Sequence, residues 1–364
     1  MSDSPDIPWR RDLAEVAPLL AAWVRHAVGP DAEVTDIRPP GGNGMSSETI
    51  LFDVRRGHDD DLQRLAARLA PLPSLVPVFP DYDLEVQARC MELVGAETDV
   101  PVPSVHWLET DPKWLRAPFL VMGRVDGVPP SDMPPYVFGG WLTEATAEER
   151  AALQANVVNV LARLHELSPE RNDLSFLNRG GPGSTPLGHH LDAQRRYYEW
   201  AREGVTYPLI ERAFTWLGAR RPPEGPPVFN WGDARIGNIL FRGVAPVAVL
   251  DWEMAAVGPP EIDLAWMIFL HRFFQDMAER YGMPGLPGFM ERDDVAGAYE
   301  RLSGHSVCEL EWFEVFAALR FAIISVRTST RAIGYGTMPQ PDDPDDLIMF
   351  RPLLEEMLAG TYWA

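Results

Sequence analysis

Leu13, Val16, Leu19, Leu20, Trp23 and Val24 recur at the spacing of one helix face, predicting an amphipathic helix over 12–28. The period then shortens. Residues 34–37, 48–54 and 65–69 read as strands, the first two joined by a glycine-rich turn and the next two by a polar tip at 58–61. A proline-rich connection over 71–80 leads to a helix over 83–94, with Leu84, Ala88, Met91 and Val94 on one side. Strands follow at 105–108 and 118–125, the latter breaking at Gly123. Past that glycine the pattern is helical: 146–167, with Leu153, Val157, Val160, Leu161 and Leu164 as its stripe, then 191–217, 264–277, 295–302, 310–330 and 347–358. Strands first and helices afterwards predict an α+β chain with a division near 123–127, and 364 residues suit two domains.

Hydrophobic content of 46% and charged content of 23% describe an ordinary globular chain with ample core. The net charge of −21 argues against a nucleic-acid partner, whose phosphates it would repel. It suits cationic substrates, a magnesium nucleotide, or simply a solvated surface. Cys90 and Cys308 form no disulfide framework and fit a reducing compartment. No basic-then-apolar leader opens the sequence, and the most apolar run, 315–326, is interrupted by Arg320 and too short to span a bilayer. These readings predict a cytoplasmic protein without a membrane partner. His189 and His190 lack a second pair at ligand spacing, so no metal is assigned to them. The acidic, proline-broken stretch 339–346 reads as a solvated loop or as a rim for a cationic acceptor.

Candidate chemistry concentrates in 229–241 and 247–253. Asp233 and Asn238 lie five residues apart on a loop whose Gly232 and Gly237 permit tight turns, and Asp251 and Glu253 follow four apolar residues. Oxygen ligands can thus converge at one sheet edge, and hard oxygen ligands suit Mg²⁺ on nucleotide phosphates. Phosphoryl transfer needs this inventory: a carboxylate beside the nucleophilic hydroxyl, and an Asn and an Asp on the metal. The turn carrying Gly42, Gly44, Ser46 and Ser47 could lay backbone N–H groups over phosphates, or be a plain β-turn.

With Gly232-Asp233, Asn238, Asp251 and Asp263 in this order, the chain resembles the aminoglycoside phosphotransferase-like family, which includes choline-kinase-like relatives, within the protein-kinase-like fold. Two departures accompany the likeness: Trp231 stands where the family has His, and Gln87 near where it has the carboxylate that pairs with a strand cation. The resemblance implies a bilobal α+β fold, with a sheet-containing N-lobe at 1–123 and a helical C-lobe at 124–364. It implies transfer of the γ-phosphoryl group of ATP or GTP, with Mg²⁺, to a small-molecule hydroxyl acceptor. Asp233 would be the catalytic carboxylate; Asn238 and Asp251 would hold metal; Glu253 would bind a second metal through water or face the acceptor. Arg235 would contact the transferring phosphate, unless it forms a surface salt bridge; Arg68, or its neighbour Arg64, would be the strand cation; and Met122 and Arg124 would form the adenine hinge. Asp263 would brace the catalytic loop. Relatives act on aminoglycosides, choline, homoserine-like alcohols, macrolides and hydroxyacyl thioesters of coenzyme A, and these motifs do not choose among them. The alternative is a nucleotide-binding module that has lost transfer.

Overall fold

The computed structural model describes residues 11–40, 47–56, 62–72, 75–177 and 185–363. The chain divides into two compact units, Met1–Glu92 with Pro103–Val125, and Leu93–Val102 with Asp126–Ala364.

The first unit begins with α1 (Leu13–Ala27), where Asp12 caps the helix by accepting from the N–H of Ala14 at 2.8 Å. Its strands are β1 (Ala32–Arg38), β2 (Glu48–Arg56), β3 (Leu62–Leu69), β4 (Val105–Glu109) and β5 (Phe119–Gly123), and α2 (Leu84–Glu97) starts within it. The strands pair antiparallel in the order β1-β2-β3-β5-β4. Alternation sets the inner face: Ile50, Phe52 and Val54 of β2 join Leu65, Ala67 and Leu69 of β3 in one core with Val16, Leu20 and Trp23 of α1. Trp23 meets Phe119 edge-on at 5.0 Å and Trp107 at 5.7 Å, which seats the helix on the sheet. β3 starts three residues before the apolar run that announces it. Leu62, Gln63 and Arg64 carry no apolar pattern, but their backbone pairs with Arg55, Val54 and Asp53.

The second unit contains α3 (Trp141–Glu144), α4 (Ala147–Leu164), α5 (Pro186–Ala201), α6 (Pro208–Ala219), β6 (Val228–Asn230), β7 (Ile239–Arg242), β8 (Ala245–Val249), β9 (Ala256–Gly258), α7 (Glu261–Arg280), α8 (Arg292–Ser303), α9 (Leu310–Gly334) and α10 (Arg351–Ala359). Thr146 and Glu149 form a reciprocal capping box at the start of α4. α5 starts at Pro186, capped by Thr185, ahead of the helical pattern read from 191, so His189 and His190 lie on a helix. The closing segment also differs from the single helix read over 347–358. A short 3₁₀ turn, Pro344–Leu347, precedes an extended Ile348, and α10 starts only at Arg351. Within that acidic stretch Asp345 is buried and accepts from the N–H of Leu209 at 3.1 Å, satisfying the open end of α6, while Asp343 and Asp346 pair with Arg351. Of these carboxylates Asp345 serves a helix end, while the side chains of Asp343 and Asp346 are still exposed, as a solvated loop would have them.

α7 and α9 carry the core, where Phe269, Phe273, Phe321 and Phe350 cluster with ring centroids 5.2 to 6.2 Å apart. The 315–326 run lies inside α9, mostly buried, as its composition predicts, and takes Arg320 into the interior with it. No helix among the described residues is long and apolar enough to cross a membrane. The chain is of mixed α+β class, as expected.

Candidate active site

The loop between β6 and β7 is held by α7. Asp263, in the first turn of α7 and fully buried, accepts from the N–H groups of Trp231 at 2.7 Å and Gly232 at 2.9 Å. His165 sits 3.2 Å from the same carboxylate through Nε2 and 2.8 Å from the Tyr299 hydroxyl through Nδ1, a helix-end histidine with both nitrogens satisfied. Gly232 has φ of 91°, and a Cβ there would lie 2.0 Å from the carbonyl oxygen of Met254, so only glycine fits. Trp231, in the place of a histidine, is fully buried and donates its indole N–H to the carbonyl of Leu250 at 2.9 Å. The ring thus ties the loop to the end of β8.

Asp233 follows with both carboxylate oxygens engaged. Oδ1 accepts from the Trp266 indole at 2.7 Å, Oδ2 from the Asn238 amide at 2.7 Å, and Arg235 Nε lies 3.1 and 3.0 Å from the two. Burial pushes this carboxyl upward; the Arg235 guanidinium and the hydrogen bonds from Trp266, Arg235 and Asn238 more than offset that, leaving it below the usual carboxylate range. Asp233 is therefore anionic at neutral pH. Arg235 extends its Nη1 to Asp132, and Gly237 makes room for that pair, since a Cβ there would lie 2.6 Å from Asp132 Oδ1. Arg235 is thus an internal bridge between two carboxylates and not an isolated surface ion pair.

Asn238 spends its amide N–H groups on Asp233, at 3.1 Å to the carbonyl and 2.7 Å to the carboxylate, which leaves its side-chain oxygen as an acceptor. Its own carbonyl accepts from the N–H of Leu250 at 2.9 Å, continuing the β7–β8 pairing of Ile239 with Val249. Asp251 is the next residue, in the left-handed region with φ of 64°, and Glu253 lies half-buried in the turn beyond. Among the described residues no three His, Cys, Asp or Glu side chains are grouped to hold a metal. An amide oxygen and a neighbouring carboxylate are few ligands, all hard, as Mg²⁺ takes when phosphates and water supply the rest. The donor set fits that ion.

The residues expected to touch nucleotide belong to the first unit. Gly42, Gly44 and Ser46 lie outside the described residues; Ser47 is half-buried just before β2. Arg68 is buried in β3, paired in register with Thr49 and Leu120, and Arg64 stands opposite Asp53. Gln87, near where the family has the carboxylate that pairs with a strand cation, is buried, and among the described residues its Nε2 has no hydrogen-bond partner. At the hinge, the N–H of Gly123 goes to Ser104 and that of Arg124 to Arg64, both at 2.9 Å, while Met122 pairs with Ala66 and Val105. The Arg124 side chain is committed to Asp53 at 2.8 Å.

Sequence reading passed over Asp132, the indole of Trp266 as a hydrogen-bond donor and the role of Arg320. Arg320 donates to the carbonyl of Gly232 at 2.7 Å and lies over the Trp266 ring at 4.3 Å; burial lowers its pKa to about 10, against the pull of Asp263 and Asp233. A charge inside an apolar helical run was the available signal. Asp132 carried none, being one polar residue in a loop. Beside the Asp132–Arg235 pair is a small pocket, partly open to solvent, lined by Tyr136, Met267, His271 and Phe274 among others.

The phosphotransferase enzyme family model matches residues 47–302, more than half of the chain. Acyl-CoA dehydrogenase family member 10 of Mus musculus is 26% identical over 251 residues, covering 68% of this chain and 22% of that protein. The chain spans 22% to 35% of the length of the first curated relatives it matches. In structure it is similar to a candidate aminoglycoside phosphotransferase of Ralstonia eutropha JMP134, with TM-score 0.64, 21% identity and coverage of 97% of this chain and 99% of that one. It is also similar to a thermostable mutant of aminoglycoside phosphotransferase APH(4)-Ia, solved as a ternary complex with AMP-PNP and hygromycin B, with TM-score 0.56, 14% identity and coverage of 93% and 97%. These likenesses place the chain in the protein-kinase-like fold. The braced Asp233 loop lies within the matched span, and the chain belongs to the phosphotransferase enzyme family.

Proposed function

We propose that this protein is a small-molecule kinase that moves the γ-phosphoryl group of ATP or GTP to an acceptor hydroxyl. The observation that carries the reading is the Asp233 carboxylate, anionic and held by Trp266, Asn238 and Arg235, one hydrogen bond away from an Asn whose carbonyl oxygen is tied to the strand leading into Asp251. Asp233 accepts a hydrogen bond from the acceptor hydroxyl and orients it in line with the phosphoryl group; the proton leaves late, because the transition state is loose. Asn238 and Asp251 are the residues to hold Mg²⁺, with Glu253 next to them. A magnesium ion bound there neutralises charge on the phosphates. Arg235, permanently charged, steadies Asp233 and, where it reaches the transferring group, its negative charge. Ser47, Arg68 and the carbonyl of Arg124 are the nucleotide contacts proposed from the described part of the first unit, with Gly42, Gly44, Ser46 and Met122 completing the set.

The names of the curated relatives describe dehydrogenases much longer than this chain, and the phosphotransferase match supports the kinase reading for residues 47–302 of this chain. A nucleotide-binding module without transfer is the competing reading, favoured by Gln87, a neutral residue near where the family has a carboxylate, whose buried amide nitrogen has no partner among the described residues. Calorimetric titration with AMP-PNP and its guanine analogue, with and without Mg²⁺, followed by an acceptor screen for nucleotide consumption, tests the proposal. Magnesium-dependent binding with turnover on an alcohol supports it; binding with no turnover on any alcohol favours the module, and no binding overturns both.

A further inference from the structure

Helix α7 grips the loop twice on one face. Asp263 holds its backbone, and Trp266, one turn later, reaches the Asp233 side chain at 2.7 Å. The indole N–H is a donor only, so it can fix a carboxylate oxygen but never compete with it for a proton. The ring itself is held. Trp266 is 2% exposed; the Arg320 guanidinium lies over it at 4.3 Å and Phe321 meets it edge-on at 6.2 Å. Among the described residues Arg320 Nε and Nη1 have no hydrogen-bond partner, and the guanidinium to which they belong lies over the indole face. Arg320 Nη2 meanwhile donates to the carbonyl of Gly232, the residue before Asp233. One buried arginine therefore braces both the loop backbone and the indole that holds its carboxylate.

We propose that Trp266 is a positioning residue for Asp233: its indole N–H sets the carboxylate rotamer that orients the acceptor hydroxyl, and Arg320 locks the indole in that pose. The inference rests on Asp233 being the carboxylate that orients the acceptor. Rigid support of this kind matters because a misplacement of about 1 Å can cost about 100-fold in rate.

The test replaces Trp266 with benzothienylalanine, which keeps the ring size and removes only the N–H, alongside Trp266→Phe and Asp233→Asn. Each protein is measured for phosphate release from magnesium ATP and magnesium GTP with water as acceptor, for AMP-PNP affinity, and for Tm. With benzothienylalanine, turnover should fall about 10- to 100-fold while KM for nucleotide, AMP-PNP affinity and Tm stay close to wild type. In ¹⁵N-labelled protein, the indole N–H signal that disappears in Trp266→Phe should be protected from exchange and should move in Asp233→Ala. Unchanged turnover with benzothienylalanine, or a loss that tracks Tm and nucleotide affinity together, overturns the inference. Should Asp233→Asn keep full turnover, the functional reading beneath it fails instead. Should all turnover be undetectable, an exposed indole N–H unmoved by Asp233→Ala still overturns the positioning role.

Discussion

The carbonyl of Asn238 accepts the N–H of Leu250 at 2.9 Å, so the residue that ends the Asp233 loop and the residue before Asp251 are locked side by side. That backbone bond brings Asn238 and Asp251 to the same end of the β7–β8 pair. On this account they act as one oxygen-ligand unit. Asn238→Ala and Asp251→Asn should each weaken AMP-PNP binding in the presence of Mg²⁺ by tenfold or more and leave metal-free binding unchanged. Calorimetry at fixed nucleotide with varied magnesium checks this; a magnesium dependence equal to wild type in Asp251→Asn would remove Asp251 from the metal site.

Gly232→Ala should destabilise the fold by about 3 kcal/mol or more, because a Cβ would overlap the Met254 carbonyl and φ is 91°. Urea denaturation reads the loss directly. A change below about 1 kcal/mol would mean that the loop relaxes more easily than its bonds to Asp263 suggest.

Asp132 tests whether Arg235 is tuned from its far side. Were that pair an ordinary exposed ion pair, Asp132→Asn would cost about 0 to 1 kcal/mol of stability and leave turnover alone. The shared guanidinium predicts otherwise: turnover should change about tenfold at nearly constant Tm, since Arg235 loses one of the two carboxylates that set its pose. Steady-state kinetics beside a thermal melt separates the two outcomes.

Buried ionisable groups give stability a pH dependence with two opposing parts. Burial, aided by Arg320, lowers the His190 pKa to about 4, and burial with Arg272 lowers that of His271 to about 3, from 6.5. The unfolded chain takes up these protons first, so stability falls as pH drops from about 6.5 toward 4. Glu314 acts in the other direction: burial raises its carboxyl to about 7, so the native state keeps a proton between 4.5 and 7 that the unfolded chain releases. Its contribution is therefore lost as pH rises through that range. Glu314→Gln should flatten the fall of Tm between pH 5 and 8, and His190→Gln should soften the fall below pH 6.5. Melting curves that run parallel to wild type across the whole range would contradict both assignments.

Local pattern made much of the fold legible. Ile50, Phe52 and Val54 alternate because one face of β2 is buried, and α9 is apolar because it runs through the core. The turn glycines were legible for a related reason: a Cβ on Gly232 would overlap the Met254 backbone, and one on Gly237 would crowd the Asp132 carboxylate. What stayed hidden is long-range and aperiodic. Arg235 and Asp132 are far apart in sequence, and nothing near Asp132 announces a partner. Trp266 reads as a core aromatic on a buried helix; only the fold shows its N–H aimed at Asp233. Asp345 reads as a solvated acid, and only the approach of α6 gives it the N–H of Leu209 to hold. The α5 boundary was missed because Pro186 looks like a loop residue until Thr185 is seen capping the first turn.

The central claim is that Asp233 positions the acceptor while other residues hold the nucleotide, and a single comparison separates those roles. AMP-PNP affinity and turnover of magnesium ATP or GTP should be measured for wild type and Asp233→Asn under the same conditions. Affinity should stay within about threefold of wild type and turnover should fall by about 100- to 10,000-fold. Retained turnover in Asp233→Asn, or loss of nucleotide binding together with turnover, would contradict it.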